Sequence, residues 1–269
     1  MATPRRSNMS SDHADPILPP ELERLIFIYA LKNDLELEHV VNLLIIARRV
    51  HDWLIPSLFE VVVVYTGHHW PTRFNLEKFQ KYGKHVRHLL LCSVTPGEAA
   101  EFIPLCPNLT NLALWTGRYD TAQITAVMQL HLTRLSVEIR QLGIASPAQL
   151  TLFSTITHLD VGDVLTSVTH CQILIHFPVL THVALVSASE ISVLKWVLEQ
   201  CKSIKVVVWV SGMDDDPYPV RLDTDSPRTA DPRVVALACG YVKDWIDGAH
   251  GGLDMWKFAD GIIAARRSS

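Results

Sequence analysis

The sequence predicts an α/β fold in which a short helical block precedes an array of strand-and-helix repeats with a parallel sheet, and three observations predict it. An L-x-x-L-x-L-like pattern returns six times, at Val86/Leu89/Leu91, Leu109/Leu112/Leu114, Leu132/Leu135/Val137, Ile156/Leu159/Val161, Leu180/Val183/Leu185 and Ile204/Val207/Trp209. Its first positions are spaced 23, 23, 24, 24 and 24 residues, and all eighteen positions are apolar in a chain that is 48% apolar. Helical patterns fall between the recurrences, and the segment ahead of them is helical without the repeat.

Taken in order, residues 1–16 are rich in Ser, Pro and charge and lack the apolar stretch of a signal peptide, which predicts a disordered leader. Residues 17–60 predict three short helices. Leu18-Pro19-Pro20-Glu21-Leu22 opens the first, because proline is tolerated in a first turn and carboxylates there favour the positive end of the helix dipole. Leu22, Leu25, Ile26 and Tyr29 then fall on one face. A second helix is predicted from Leu37 to Ala47 and a third from His51 to Phe59, before the β-branched run Val61 to Val64 reads as a buried strand.

Residues 61–211 hold the repeats. Helical patterns at Pro96 to Leu105, Ala122 to Leu130, Pro147 to Phe153, Ser167 to Ile175 and Ala188 to Gln200 separate the predicted strands. Residues 212–230, with Asp214-Asp215-Asp216 and three prolines, read as an exposed acidic loop. Residues 231–269 predict a helical cap: Asp231-Pro232 starts a helix carrying Val234, Ala238, Tyr241 and Trp245, and a second runs from Leu253 to Arg267. The simplest role for the pair is to close the open end of the array.

A period of 20 to 29 residues carrying L-x-x-L-x-L resembles a leucine-rich-repeat solenoid, in which each unit needs its neighbours to bury its apolar face. The ladder asparagine of that family is replaced here by Val94, Gly117, Arg140, Val164, Ala188 and Gly212, which predicts an irregular solenoid. The opening block resembles an F-box through Leu18-Pro19-Pro20-Glu21-Leu22, Ile26-Phe27, Leu31 and Ala47-Arg48-Arg49. Val50 stands where the family has an aromatic, and about five extra residues separate Leu31 from Ala47. The whole chain is similar to a set of fungal F-box-like proteins, including the tail with Asp244-Trp245, Gly251-Gly252 and Trp256.

That resemblance implies a substrate-recognition subunit of a Skp-cullin-RING ubiquitin ligase, meeting the Skp-type adaptor through Leu18, Pro19, Leu22, Ile26 and Phe27 and a protein substrate through the repeats. Val50 and the longer connection favour the alternative, a protein-binding scaffold outside any ligase whose F-box-like block only caps the solenoid.

Strand alternation sends His88, Asn111, Arg134, His158, His182 and Val206 to the concave face. The next outward column is Leu90, Ala113, Ser136, Asp160, Ala184 and Val208, followed by Cys92, Trp115, Glu138, Gly162, Val186 and Val210. Trp115, Arg134, Glu138, His158, Asp160 and His182 therefore form the expected substrate strip, a tryptophan beside an arginine being typical hot-spot chemistry. The bland reading is that these are only the solvated side of the sheet.

Chemistry is not called for. The chain lacks the nucleotide-binding, metalloprotease and nucleophile-elbow motifs, so no catalytic residue, cofactor or metal is expected. His158 and His182 on adjacent strands would stand about 5 Å apart, but two ligands do not make a metal site. A net charge of −4 gives no attraction to nucleic acid, and no apolar run is long enough to span a membrane. Cys92, Cys106, Cys171, Cys201 and Cys239 read as free thiols, and the expected compartment is cytoplasmic or nuclear.

Overall fold

The computed structural model describes residues 18–33, 37–65, 68–71, 73–92, 94–142, 152–212, 219–221 and 231–268. The expected leader, the Asp214 to Asp216 triplet and most of the helical pattern at Pro147 to Phe153 lie outside them. The chain divides into two compact units, Met1–Ile55 and Pro56–Ser269.

In the first unit the structure has α1 (Pro20–Asn33), α2 (Leu37–Ile45) and α3 (Arg48–Leu58), the last crossing into the second unit. The Pro19 carbonyl accepts from the backbone N–H groups of Leu22 and Glu23, so Pro20 takes the first helical position, where its missing N–H costs nothing. Arg49 ties α3 to α1 by donating to Glu23 at 2.7 Å. Leu31, Val40, Val50 and Leu54 are buried.

The second unit is built on a ten-stranded sheet in which eight neighbouring strands are parallel. The strands are β1 (Val61–Tyr65), β2 (His68–Trp70), β3 (His88–Cys92), β4 (Asn111–Trp115), β5 (Arg134–Val137), β6 (His158–Val161), β7 (His182–Val186), β8 (Val206–Gly212), β9 (Val220–Arg221) and β10 (Val234–Cys239). They lie in the order β2-β1-β3-β4-β5-β6-β7-β8-β10-β9, with β2 and β9 antiparallel at the edges. His68 to Trp70 is thus an edge strand.

The repeat fixes the register. Asn111 pairs with His88, Arg134 with Asn111, His158 with Arg134, His182 with His158 and Val206 with His182, each one repeat apart. The residue before each strand repeats a second bond. The hydroxyls of Thr110, Thr133, Thr157 and Thr181 donate to the carbonyls of Arg87, Thr110, Thr133 and Thr157 at 3.1–3.2 Å. Their backbone N–H groups donate to the same carbonyls at 2.8–3.0 Å. A threonine ladder thus joins neighbouring repeats in a chain that lacks the asparagine ladder.

The crossovers are uneven. They include α4 (Leu76–Tyr82), α5 (Pro96–Phe102), α6 (Thr121–Met128), α7 (Ile139–Leu142) and α8 (Ile191–Gln200). Thr95 and Glu98 close a capping box at the start of α5, and Asp120 caps α6 through the Gln123 N–H. Between β6 and β7 the expected helix is two 3₁₀ turns, Val168–His170 and Gln172–His176. Parallel strands require crossovers, and a constant hand sends them all over one face. The repeat leucines on that face, Leu89, Leu91, Leu112 and Leu114 among them, are fully buried.

The C-terminus departs from expectation. The single helix predicted from Asp231 to Ile246 is the strand β10 followed by α9 (Tyr241–Ala249), because Val234 to Cys239 is an unbroken apolar run buried along its whole length, as a parallel strand covered on both faces must be. Nor do α9 and α10 (Met255–Ser268) close the end of the array. They lie on the face opposite the repeat leucines. Ala249, Trp245 and Ile246 of α9 pack with Val61, Val63, Leu90 and Ala113, and Trp256, Ala259 and Ile263 of α10 pack with Ala184, Val206, Val208, Val210, Val235 and Leu237. The face expected to be open and concave is a second core. The five cysteines are free thiols, four of them buried. Among the described residues no helix is long and apolar enough to cross a membrane.

Candidate functional site

Two surfaces carry the residues singled out in the sequence, one in each unit. On α1 and the turn before it, Leu18, Leu22, Leu25, Ile26 and Tyr29 are exposed, at 43, 49, 61, 54 and 72%. Pro19 is exposed and Phe27 is half-buried. Val41, Ile45 and Ile46 in and after α2 are exposed as well. Helices normally turn such residues inward, so this exposed apolar side is the candidate surface of the first unit.

In the sheet unit, five of the six residues of the expected substrate strip fall on neighbouring strands, on one face. They are not a free surface. Trp115 Nε1–H donates to Ser136 Oγ at 2.8 Å, and the Ser136 hydroxyl donates to Asp160 Oδ2 at 2.6 Å, a relay across β4, β5 and β6. Arg134 donates from Nη1 to Asp254 Oδ2 at 2.9 Å. The His158 and His182 rings stack at 4.1 Å, and Trp256 makes T-shaped contacts with both at 5.3 and 6.0 Å. His182 Nε2 stands 3.2 Å from Asp260 Oδ1. The chain's own α9 and α10 therefore cover the strip. Glu138 stands apart: it follows the last residue of β5, and its backbone N–H donates to the Tyr119 oxygen at 3.0 Å.

The cover is held by chemistry that its sequence specifies. Asp254 precedes α10, and its Oδ1 accepts from Lys257 N–H while Oδ2 takes Arg134, so one carboxylate caps a helix and ties it to the sheet. Asp244 of α9 accepts from the Met255 N–H at 2.8 Å. At Gly248 a Cβ would sit 2.5 Å from Asp254 Oδ2, so only glycine lets α9 come this close. Gly251, with φ of +82°, makes the left-handed turn between the helices.

Between sheet and helices lies a cavity of about 30 Å³, lined in part by Trp115, Arg134, Asp160, Tyr241, Asp244 and Trp245. Burial pushes the Asp160 carboxyl up to about 6, against the Ser136 hydrogen bond. Burial, reinforced by Asp254, pushes Asp244 up to about 7. The histidines go the other way: burial, then His182 and Arg134, lowers His158 to about 3, and burial lowers His88 to about 4. Tyr241 Oη and Trp245 Nε1 are buried without a hydrogen-bond partner. Among the described residues no group of three or more His, Cys, Asp or Glu is arranged to hold a metal.

Reasoning from sequence found one wall of this cluster and missed the other. Ser136 was placed in an outward column and left out of the strip. Tyr241, Asp244, Trp245, Asp254 and Trp256 belong to no site expected from the sequence. No protein-family model matches the chain, and no curated protein matches it.

Proposed function

We propose that the chain is a substrate-recognition, F-box-like subunit of a Skp-cullin-RING ubiquitin ligase whose second unit is an irregular leucine-rich-repeat-like solenoid. The observation that carries this reading is the exposed apolar stripe Leu18, Leu22, Leu25, Ile26 and Tyr29, on a helix that opens with Leu-Pro-Pro-Glu-Leu. An adaptor docking on Leu18, Pro19, Leu22, Ile26 and Phe27 would bury what water now touches, at roughly 25 cal/mol for each Å² of apolar surface covered. The in-register strands one repeat apart and the threonine ladder support the solenoid. With most of the expected strip under α9 and α10, a protein substrate would meet the half-exposed Trp115 and Arg134 rather than its full length.

The scaffold reading has one observation in its favour: Val50, in the place of the family's aromatic, is almost fully buried. Co-expression of the full chain with a Skp-type adaptor separates the two. A stoichiometric complex that Ile26→Asp weakens at least about tenfold, with an unchanged thermal melt, is the expected result. Absence of any complex at high concentration, or equal binding by the variant, would leave the scaffold.

A further inference from the structure

The cavity under α9 carries more negative charge than its walls can neutralise. Three carboxyl groups reach it, from Asp160, Asp244 and Asp254, against the guanidinium of Arg134, and Asp254 already holds that cation. Asp160 uses one oxygen for the Ser136 hydroxyl and Asp244 one for the Met255 N–H. The second oxygen of each accepts from no donor among the described residues, although both side chains are more than nine-tenths buried. Four aromatic side chains, Trp115, Tyr241, Trp245 and Trp256, line the same cavity. The Tyr241 oxygen and Trp245 Nε1 are themselves buried without partners.

Two free carboxylate oxygens and aromatic walls suit a compact organic cation: charge-assisted acceptors for its N–H groups and low-dielectric surroundings that strengthen them. The size agrees. About 30 Å³ has room for two or three water-sized groups, at about 10–15 Å³ each. An ammonium head with its first carbon fits. A hard metal ion is a poorer match, since magnesium and calcium ask for six or more oxygens and no metal-binding cluster is present among the described residues.

We propose that this cavity is a binding site for a primary ammonium group, held between Asp160 and Asp244 and enclosed by Trp115, Tyr241, Trp245 and Trp256. The group could belong to a free small amine or to a lysine side chain of a partner. The site lies wholly within the second unit, and nothing in it depends on the adaptor surface of α1.

Binding is coupled to protons. An ammonium that enters displaces the protons that Asp160 and Asp244 retain, so affinity rises with pH as these two groups ionise, through about 6 and about 7. The other groups facing them do not reverse the sign. Arg134 and Asp254 remain paired, His158 is neutral throughout this range, burial pushes the Cys239 thiol and the Tyr241 phenol up, and Asp247 adds a further negative charge on α9. His182 is turned to Asp260.

The test is a titration of the full chain with methylammonium chloride, read by tryptophan fluorescence and calorimetry, against sodium chloride at matched ionic strength. Saturable binding that tightens at least about tenfold between about pH 5.5 and about pH 8 is the expected result. The double variant Asp160→Asn with Asp244→Asn keeps both hydrogen bonds and loses both charges, so it should fold and bind at least about tenfold more weakly. An N-acetyl-lysine methylamide arm identifies the source: binding means that a peptide lysine can enter, and binding of methylammonium alone means a free amine. No saturable response at the higher pH, an equal response to sodium, or unchanged binding by the double variant would overturn the proposal and leave a cavity that holds water only.

Discussion

The two halves of the covered sheet face are built differently. Beneath α10, strands β7, β8 and β10 present Ala184, Val206, Val208, Val210, Val235 and Leu237, which meet Trp256, Ala259 and Ile263 in an apolar contact. Between α9 and the start of α10, strands β4 to β6 present Trp115, Arg134, Ser136, His158 and Asp160, which meet Asp244 and Asp254 around a cavity, while the rest of α9 rests on Val61, Val63, Leu90 and Ala113. The first half is held by area removed from water and needs no particular angle. The second depends on geometry, and any charge left without a partner is costly there. The apolar anchor fixes α10, and with it the position of Asp254 over the polar half.

Trp256→Ala should break the comparison most severely, because Trp256 belongs to the apolar contact and also flanks both histidine rings. Truncating a buried tryptophan costs about 3–5 kcal/mol, to be read from urea denaturation. Arg134→Ala acts on the polar half alone. It leaves Asp254, which is 2% exposed, without its cation, and the partial exposure of Arg134 reduces the loss to about 2–3 kcal/mol. A loss as large as that of Trp256→Ala would mean that the two halves do not differ as described.

The smallest effect is the sharpest. Asp160 and Asp244 have raised pKa values in the fold, so their contribution to stability declines as pH rises from the unfolded carboxylate value, about 4, through about 6 and about 7. His88 and His158 have lowered values, so they cost stability below the unfolded histidine value, about 6.5, and that cost disappears as pH rises. The two effects oppose each other between about pH 4 and about pH 6.5, where stability should be nearly flat, with a decline above. The double variant Asp160→Asn with Asp244→Asn removes one side of the balance. Its unfolding free energy from urea denaturation should climb with pH across that window and exceed that of the unaltered chain by about 1 kcal/mol or more at about pH 8. A flat profile in the variant would show that the histidines are not titrating as their burial requires.

The order and register of β3 to β8 were legible because every repeat writes the same two-residue alternation, and a shift of one residue would turn a whole row of leucines to the other face; β2, β9 and β10 lie outside the repeat and were not. The threonine ladder was also present in the sequence, as Leu-Thr-Asn-Leu, Leu-Thr-Arg-Leu, Ile-Thr-His-Leu and Leu-Thr-His-Val, but a search for asparagine looks past it. The covering helices were misplaced for a physical reason. Val234, Ala238, Tyr241 and Trp245 have helical spacing, and that periodicity outweighed the unbroken apolar run that marks a strand covered on both faces. The same signal stood in the outward columns, where Leu90, Ala113, Ala184, Val206, Val208 and Val210 are apolar and all prove buried. A column of that composition predicts a cover. The polar cluster was half legible, because its sheet side follows from register, whereas the pairing of Arg134 with Asp254, 120 residues away, has no local signature.

The central claim is that the chain's own C-terminal helices fill the face its repeats leave open. Nuclear Overhauser effects between the Trp256 indole protons and the ring protons of His158 and His182 test it most directly, since the ring centres lie 5.3 and 6.0 Å apart. Cross-peaks from Trp256 to both histidines are the predicted result. A Trp256 indole with solvent-like shifts and no contact to either ring would contradict it.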